Sequence, residues 1–518
     1  MAIIVPMKTF AAIDVGSYEL AMKIYEISNR GKLKEIDSIR HSIELGTDTY
    51  NTGKISLKRV DELCEVLREF ATIMETYQVD AYKAYGTSAI RETENTMIIL
   101  DQIKNRTGIT VDVISNSEQS FLNYKSIATK GVEFNRIIEQ GTAIVDIGGG
   151  SIQVSLFDKD TLITTQNMRL GVLRLRERLM ELKSKTNHYE DLIADIANPH
   201  FALFKKMYLK NREIKNIILV DDYVSHILQN KAISHDKKGY LSGTEFIQLV
   251  DQLKEGNLSE LARKWDLPEK KAVLFYHSAI LVKNILEVMG AETIWAPGVT
   301  LCDGIAYEYA QKNNLLRLEH DFEKDILACA TDMSKRYMCG GKRSETIEEV
   351  SLSIFDAMKK IHGLSKRERL LLQLAARLND CGKYISLMHV GECSYNIVMS
   401  TEIIGLSHME RAMVANIVKY NRIPFSYYSD LELISTIDRE SYLMVSKLTA
   451  ILRLATGLDR SHKQKFKNVK TILKDDELII SVETADDITL EKGLIGRKAQ
   501  FFEEVFSIKP VIKQKRKV

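Results

Sequence analysis

The chain has 518 residues, enough for about three or four domains at ~100–200 residues each. Hydrophobic residues make up 45% and charged residues 27%, so several cores can form without help from a disulfide or a metal. A formal net charge of +2 excludes a bulk polyanion binder, though not a local basic channel. The six cysteines (Cys64, Cys302, Cys329, Cys339, Cys381, Cys393) form no CxxC pair and no zinc spacing, which fits free thiols in an intracellular protein. The opening MAIIVPMKTF lacks the basic start, long apolar core and cleavage site of a signal peptide. No run approaches the ~20 apolar residues that span a bilayer. A cytoplasmic location is expected, with neither membrane nor nucleic acid as a partner.

In chain order, TFAAIDVGSYELAMKIYEI (9–27) reads as strand, tight turn, strand, and 33–46 as a third strand ending at Gly46. Residues 57–76 carry Val60, Leu63, Val66, Leu67, Phe70 and Ile73 at helical spacing. Strands at 79–86 and 109–114 then alternate with helices at 92–106 and 117–129, the pattern of a sheet with parallel strands and covering helices. EFNRIIEQG (133–141) reads as a linking loop. Residues 142–168 repeat the opening theme: the strand TAIVDI, the turn Gly148-Gly-Gly-Ser151, then two more strands. Asp14-x-Gly-Ser and Asp146-x-Gly-Gly-Gly-Ser are one device used twice, which implies an internal duplication with a cleft between two lobes. Residues 171–215 and 242–290 read as largely helical, with short strands at 216–220 and near 293–296. The polar stretch 230–243 reads as a surface loop.

A boundary is expected near 311–316. Beyond it the pattern predicts helices at about 318–337, 344–362, 366–379, 394–404, 408–420 and 440–458, two strands within 468–484, and a helix at 490–504. The terminal KPVIKQKRKV reads as a frayed basic tail.

Two glycine turns in a duplicated α/β frame point to phosphate. A phosphate needs several N–H donors converging on its oxygens, and a side chain at the turn would block that approach. In such a turn backbone amides and the Ser17 or Ser151 hydroxyl face the anion, while Asp14 or Asp146 can hold a divalent cation. A single turn of this kind is also what a plain β-hairpin would show. Ser88 and Arg91, in GTSAIRETEN, lie where a strand gives way to a helix, and Arg binds phosphate bidentately; the alternative is a surface arginine opening a helix. Arg169 and Arg174 flank the start of the helix after Gly171, or form a solvated helix face.

With these residues in view, the chain resembles the exopolyphosphatase and guanosine pentaphosphate phosphohydrolase family of the actin-like ATPase superfamily. AAIDVGS, LGTDTYNTGKIS, YGTSAIRETEN, ISNSEQSFLNY, AIVDIGGGS, LGVLRLRERL and LRLATGLDRS carry the resemblance, in order, from residue 9 to about 508. It implies a duplicated actin-like (ribonuclease H-like) two-lobed α/β module, then a mostly α-helical HD-like domain and a small α+β subdomain. The corresponding spans are 1–132, 133–312, 313–462 and 463–518. It implies Mg²⁺-dependent removal of a terminal phosphate from polyphosphate or guanosine pentaphosphate, and a homodimer through the helical domain. By matching position, Asp14, Gly16, Ser17, Arg91, Asp146, Gly148, Gly149, Gly150, Ser151 and Arg174 form the implied phosphate and metal site.

The sequence departs from the family pattern at chemical positions. The family's catalytic glutamate, second acid of an ISGxEEA-like run, is here Gln119, with Glu118 one place earlier. A glutamine amide cannot take a proton at neutral pH, and adjacent helical residues point ~100° apart, so Glu118 is no automatic substitute. The usual GGGSTE is GGGSIQ, which puts Gln153 where an acid helps hold metal. The asparagine after the first turn is Tyr18, and a glycine-rich turn is Asp221-Asp222-Tyr223. In the HD-like domain Thr346, Asn379, Val390, Gly391, Cys393 and Asn421 stand where histidine is common, only Asp380 remains of the His-Asp pair, and a metal-free domain is expected. Three readings follow: a hydrolase of weakened activity, a non-catalytic sensor of polyphosphate or a guanosine tetra- or pentaphosphate, and an ATP-dependent actin-like protein.

Overall fold

The computed structural model describes residues 8–28, 32–182, 189–220, 222–229, 239–255, 269–316, 320–428, 437–466 and 469–515. The chain divides into two compact units, Met1–Asp321 and Phe322–Val518.

The first unit is built on two sheets. Strands β1 (Lys8–Val15), β2 (Glu19–Ile27), β3 (Leu33–Ser42), β4 (Ala81–Gly86) and β5 (Val111–Val113) lie in the order β3-β2-β1-β4-β5. β1 runs antiparallel to β2 and parallel to β4. It is apolar on both faces because both are covered. Ala11, Ile13 and Val15 pack with the helix Leu57–Thr76, while Phe10 and Ala12 pack with the helix Leu301–Lys312.

The second sheet repeats the plan. Strands β6 (Thr142–Ile147), β7 (Ile152–Asp158), β8 (Thr161–Met168), β9 (Asn216–Val220), β10 (Tyr240–Ser242) and β11 (Thr293–Trp295) lie in the order β10-β11-β9-β6-β7-β8. Read from β8 inward, the steps are antiparallel, antiparallel, parallel and parallel, as they are from β3 to β5. β10 is an added antiparallel edge strand. The expected duplication is therefore present in the topology.

A long-range polar knot joins the start of this unit to its end. Lys23 Nζ lies 3.0 Å from Asp303 Oδ2 and 2.9 Å from Glu35 Oε2, and the Tyr25 hydroxyl donates to Asp303 Oδ1 at 2.8 Å. Burial opposes both charges, yet their attraction leaves Lys23 above and Asp303 below its ordinary pKa.

Several local expectations need correction. The stretch 133–141 is largely helical (Val132–Ile138), because Phe134, Ile137 and Ile138 are buried at helical spacing. The third strand stops at Ser42, and Gly46 lies inside a helix, Leu45–Thr52, with its N–H bonded to Ser17 O at 2.7 Å. Of the loop expected at 230–243, residues 240–242 form β10 and 230–238 lie outside the described residues. No membrane-length apolar run was expected, yet the helix Lys271–Met289 is long and apolar enough by length and composition. Two-thirds of it is buried inside the unit, as in a core helix.

The second unit packs the helices Phe322–Arg336, Lys342–Ala357, Lys359–His362, Lys366–Leu378, Val390–Ser400, His408–Tyr420 and Arg439–Leu458. A small sheet follows: β12 (Lys470–Lys474), β13 (Glu477–Glu483) and β14 (Lys509–Lys515), with helices Thr489–Leu494 and Gly496–Phe506 before β14. The C-terminal segment is thus a strand as far as Lys515, not a frayed tail. It pairs parallel to β13 from Glu477↔Lys509 to Glu483↔Lys515, so its lysines run beside an acidic-ended strand.

Candidate functional site

The two aspartate–glycine turns are superposable in hydrogen bonding. Gly16 N–H donates to Glu19 O at 3.1 Å, and Gly148 N–H donates to Ser151 O at 3.0 Å. Each turn joins a strand ending one residue after its aspartate to an antiparallel partner, with Val15↔Leu20 in one hairpin and Ile147↔Ile152 in the other. None of the turn glycines has a positive φ, so none is there for a left-handed backbone. At Gly149 and Gly150 the other lobe approaches closely, joined at Gly149 by Leu173 of the same lobe. A Cβ on Gly149 would stand 2.9 Å from the Ser17 Cβ and 2.9 Å from Leu173 Cδ1. One on Gly150 would stand 2.9 Å from the Ser88 Cβ and clash with the Tyr50 hydroxyl.

Tyr50 is the bridge between the turns. Its hydroxyl lies 2.9 Å from Ser17 Oγ, and the Arg174 guanidinium sits over its ring at 4.2 Å. Burial pushes the hydroxyl up to about 12, so it stays protonated at neutral pH. The space next to Gly149 and Gly150, which the sequence suggests for phosphate, is therefore filled by Ser17, Leu173, Tyr50 and Ser88.

Beside this contact lies a cavity of about 390 Å³ between the lobes. Asp14, Gly16, Ser17, Ser88, Gln119, Asp146, Gly148 and Gly149 line it, as the sequence suggests for a common site. Gly150, Ser151, Arg91, Arg174, Glu118 and Gln153 are not in the lining. Arg91 ties the strand end to the helix Asn116–Ala128: Nη1 donates to Ile114 O at 2.7 Å, and Nη2 to Asn116 Oδ1 at 2.5 Å and to Ser88 Oγ at 3.1 Å. Arg174 donates to Gly150 O at 3.0 Å and pairs with Glu92 at 2.7 Å. Both arginines hold the walls of the site.

Glu118 and Gln119 part company for a reason visible in the helix. Ser115 is its N-cap and Glu118 the third helical residue, and each side chain bonds the other's backbone N–H, at 3.2 and 2.8 Å. That capping box turns the Glu118 carboxylate back on the helix terminus. Gln119 faces the cavity instead, and its Oε1 is buried without a hydrogen-bond donor among the described residues. One turn on, Asn123 Nδ2 donates to Asp146 Oδ2 at 2.6 Å. Gln153, opposite Asp146 across the hairpin, accepts from Ser120 Oγ, while its Nε2 has no acceptor among the described residues.

Charge in the cavity is balanced by residues the motif reading missed. Glu19 lines it and is paired to Arg40 at 2.9 Å and Lys271 at 2.8 Å, which line it too. Asp14, Glu19 and Asp146 against Arg40 and Lys271 leave one net negative charge. An incoming phosphate therefore needs a cation, and the donor set suits Mg²⁺, which takes one or two carboxylates and completes its shell with water and phosphate oxygens. Asp14 and Asp146 are the residues that would hold it. Among the described residues no group of three or more His, Cys, Asp or Glu side chains comes together as a denser metal cage. Asn123 was legible as the next turn on the Gln119 face; Arg40 and Lys271 arrive from another strand and a distant helix. Tyr18 packs against Tyr223 with ring centroids 6.0 Å apart, and both line the cavity. Asp221 and the Asp222 side chain lie outside the described residues.

Residues 24–313 match the Ppx/GppA phosphatase family, and residues 327–498 match Ppx/GppA phosphatase, domain III. Among curated proteins, the guanosine-5'-triphosphate,3'-diphosphate pyrophosphatase of Photobacterium profundum is 20% identical over 457 residues, 86% of either chain. Exopolyphosphatase 1 of Mycobacterium tuberculosis is 28% identical over 144 residues, 28% of this chain and 40% of that one. Among solved structures, an exopolyphosphatase from Cytophaga hutchinsonii aligns with TM-score 0.52 and 19% identity, over 60% of this chain and 100% of the other. An exopolyphosphatase-like protein aligns with TM-score 0.51 and 22% identity, over 60% and 99%. These likenesses show the actin-like two-lobed α/β fold.

Proposed function

The chain belongs to the Ppx/GppA phosphatase family, and from that membership we propose that it binds the terminal phosphate of a phosphoanhydride chain in the interlobe cavity and hydrolyses it slowly. The substrate is polyphosphate or guanosine pentaphosphate, met in the cytoplasm. Lobes 1–132 and 133–312 contribute one aspartate turn each. Mg²⁺ held by Asp14 and Asp146 would neutralise charge on the transferring phosphoryl group.

The observation that carries the reduced rate is the division of labour at the helix N-terminus: Gln119 lines the cavity and Glu118 caps the helix. The Gln119 amide can position a water by hydrogen bonding but cannot accept its proton. Loss of a general base costs about 10²–10⁴-fold, while positioning and charge stabilisation supply the rest of the catalysis. The second reading, a phosphoanhydride sensor without turnover, is favoured by the Tyr50 bridge across the two turns. An ATP-dependent actin-like role is the third.

Phosphate release from long-chain polyphosphate and from guanosine pentaphosphate, with Mg²⁺, separates these readings when wild type is run beside Asp146→Ala. Slow release that disappears in the variant establishes the hydrolase. Binding without release establishes the sensor, and absence of both binding and release overturns the two together.

A further inference from the structure

The second unit concentrates positive charge where the resemblance leads one to expect a histidine–aspartate metal site. Asp380 is only 6% exposed, and its carboxylate is ion-paired to Arg343, Arg422 and Lys383, the last at 3.0 Å. Arg343 Nε also lies 3.1 Å from Oδ2 of the buried Asp459. Around this knot, Lys498 Nζ donates to Thr456 Oγ1 at 2.7 Å, and Arg453 donates to the backbone carbonyls of Tyr420 and Ile423. Arg460 adds a sixth cation whose charge is felt by both Lys498 and Arg422. Three cations thus pair with two carboxylates, and three more lie close by. They come from separate elements: the helices Lys342–Ala357, Arg439–Leu458 and Gly496–Phe506, and the segments at Lys383, Arg422 and Arg460.

Like charges crowd in this way at a real cost. Burial, then Arg422, Arg460, Arg453 and Arg343, push Lys498 down to about 7; burial, then Arg343 and Arg460, push Arg422 down to about 10. A second, geometric observation points the same way. Arg422 Nε and Asn421 Nδ2 are buried N–H donors that make no hydrogen bond among the described residues. Solvent still reaches the cluster: the side chains of Arg343, Arg422 and Lys383 are 19%, 22% and 33% exposed. A compact anion with several oxygens would meet both deficits at once, and guanidinium forks match phosphate geometry.

We propose that the cluster of Arg343, Lys383, Arg422, Arg460 and Lys498 is an anion site that takes a phosphate or pyrophosphate group. It is independent of the interlobe reading above, since every residue in it belongs to the second unit. The acids Asp380 and Asp459 act in it as internal counter-ions that the ligand displaces.

Pyrophosphate is titrated by calorimetry into the full-length chain with EDTA present, so that the interlobe cavity, with its net negative charge, has no cation to bridge an anion. Saturable one-to-one binding is expected, weakened at least tenfold by Arg422→Gln or Lys498→Gln and tightened severalfold by Asp380→Asn. The opposed signs separate an anion site from general damage to the fold, and the partly exposed Lys383→Gln serves should Arg422→Gln not fold. Parallel titrations with GDP distinguish a nucleotide source from the free anion: tighter GDP binding assigns a nucleoside diphosphate, and equal or weaker binding assigns the free anion. Failure of pyrophosphate to bind the metal-free chain, or binding that is unmoved by both Arg422→Gln and Lys498→Gln, overturns the proposal.

Discussion

The turns Gly16–Glu19 and Gly148–Ser151 are closed by the same hydrogen bond and preceded by the same aspartate, yet they present different surfaces. The first carries side chains: Ser17 reaches Tyr50, Tyr18 reaches Tyr223, and Glu19 gathers Arg40 and Lys271. The second is bare backbone, and its bareness lets Ser17, Tyr50 and Ser88 press against it. Duplication therefore supplied two copies of one aspartate–glycine turn, and divergence divided the labour. One copy furnishes chemical variety, and the other furnishes the slot into which that variety packs.

The aspartates are the common element, so removing them is the strongest test of equivalence. Asp14→Ala and Asp146→Ala are each expected to reduce Mg²⁺-dependent phosphate release by about 10²–10³-fold. A large loss in one and none in the other would break the comparison by assigning the cation to a single turn. Gln119→Glu places a carboxylate at the seam between the turns and should raise release by about 10²-fold. An unchanged rate would show that the missing base is not what limits turnover.

The glycines at matching positions should then differ in stability rather than in rate. A Cβ on Gly148 meets only Ser151 O at 3.6 Å, so Gly148→Ala should lie within about 0.5 kcal/mol of wild type in urea unfolding. The matching Gly16→Ala meets Glu19 O at 2.7 Å, and Gly150→Ala meets the Tyr50 hydroxyl, so each should cost about 1–3 kcal/mol. Adding Tyr50→Phe to Gly150→Ala should recover part of that loss by removing the clashing hydroxyl. The smallest effect concerns the Tyr50 hydroxyl itself. Its folded pKa of about 12 exceeds the ordinary 10, so the stability it contributes is whole below pH 10 and is lost as pH climbs through 12. Tyr50→Phe should flatten the alkaline fall in melting temperature by roughly a few degrees. An identical alkaline fall in both proteins would remove the hydroxyl from the account.

Much of this geometry could be read from the residues, because it is local. The paired turns stand in the sequence as Asp14-Val-Gly16-Ser17 and Asp146-Ile-Gly148-Gly149, and the helix Leu57–Thr76 begins and ends where its apolar spacing does. The fate of Glu118 was also legible, since Ser115 three places before a glutamate is a capping pattern. Non-local contacts were not. Nothing near Glu19 announces Lys271, 252 residues away, and nothing in LGTDTYNTGKIS says that its tyrosine will close against Gly150. The C-terminal strand escaped for a related reason: lysines in alternate places read as a solvated tail until a partner strand supplies the hydrogen bonds.

The knot of Lys23, Tyr25 and Asp303 has a consequence for how the chain is made. Its partners are 280 and 278 residues apart, and the helix that carries Asp303 also covers Phe10 and Ala12. At about 5–20 residues per second of synthesis, β1 and β2 wait on the order of 15–60 s for that helix. For that interval one face of the first sheet is without its lid, and Lys23 has Glu35 but not Asp303 to pair with. The first unit can form its nearer helices early, but it can close only after its last helix has left the ribosome. The opening strands are therefore the part of the nascent chain most in need of protection.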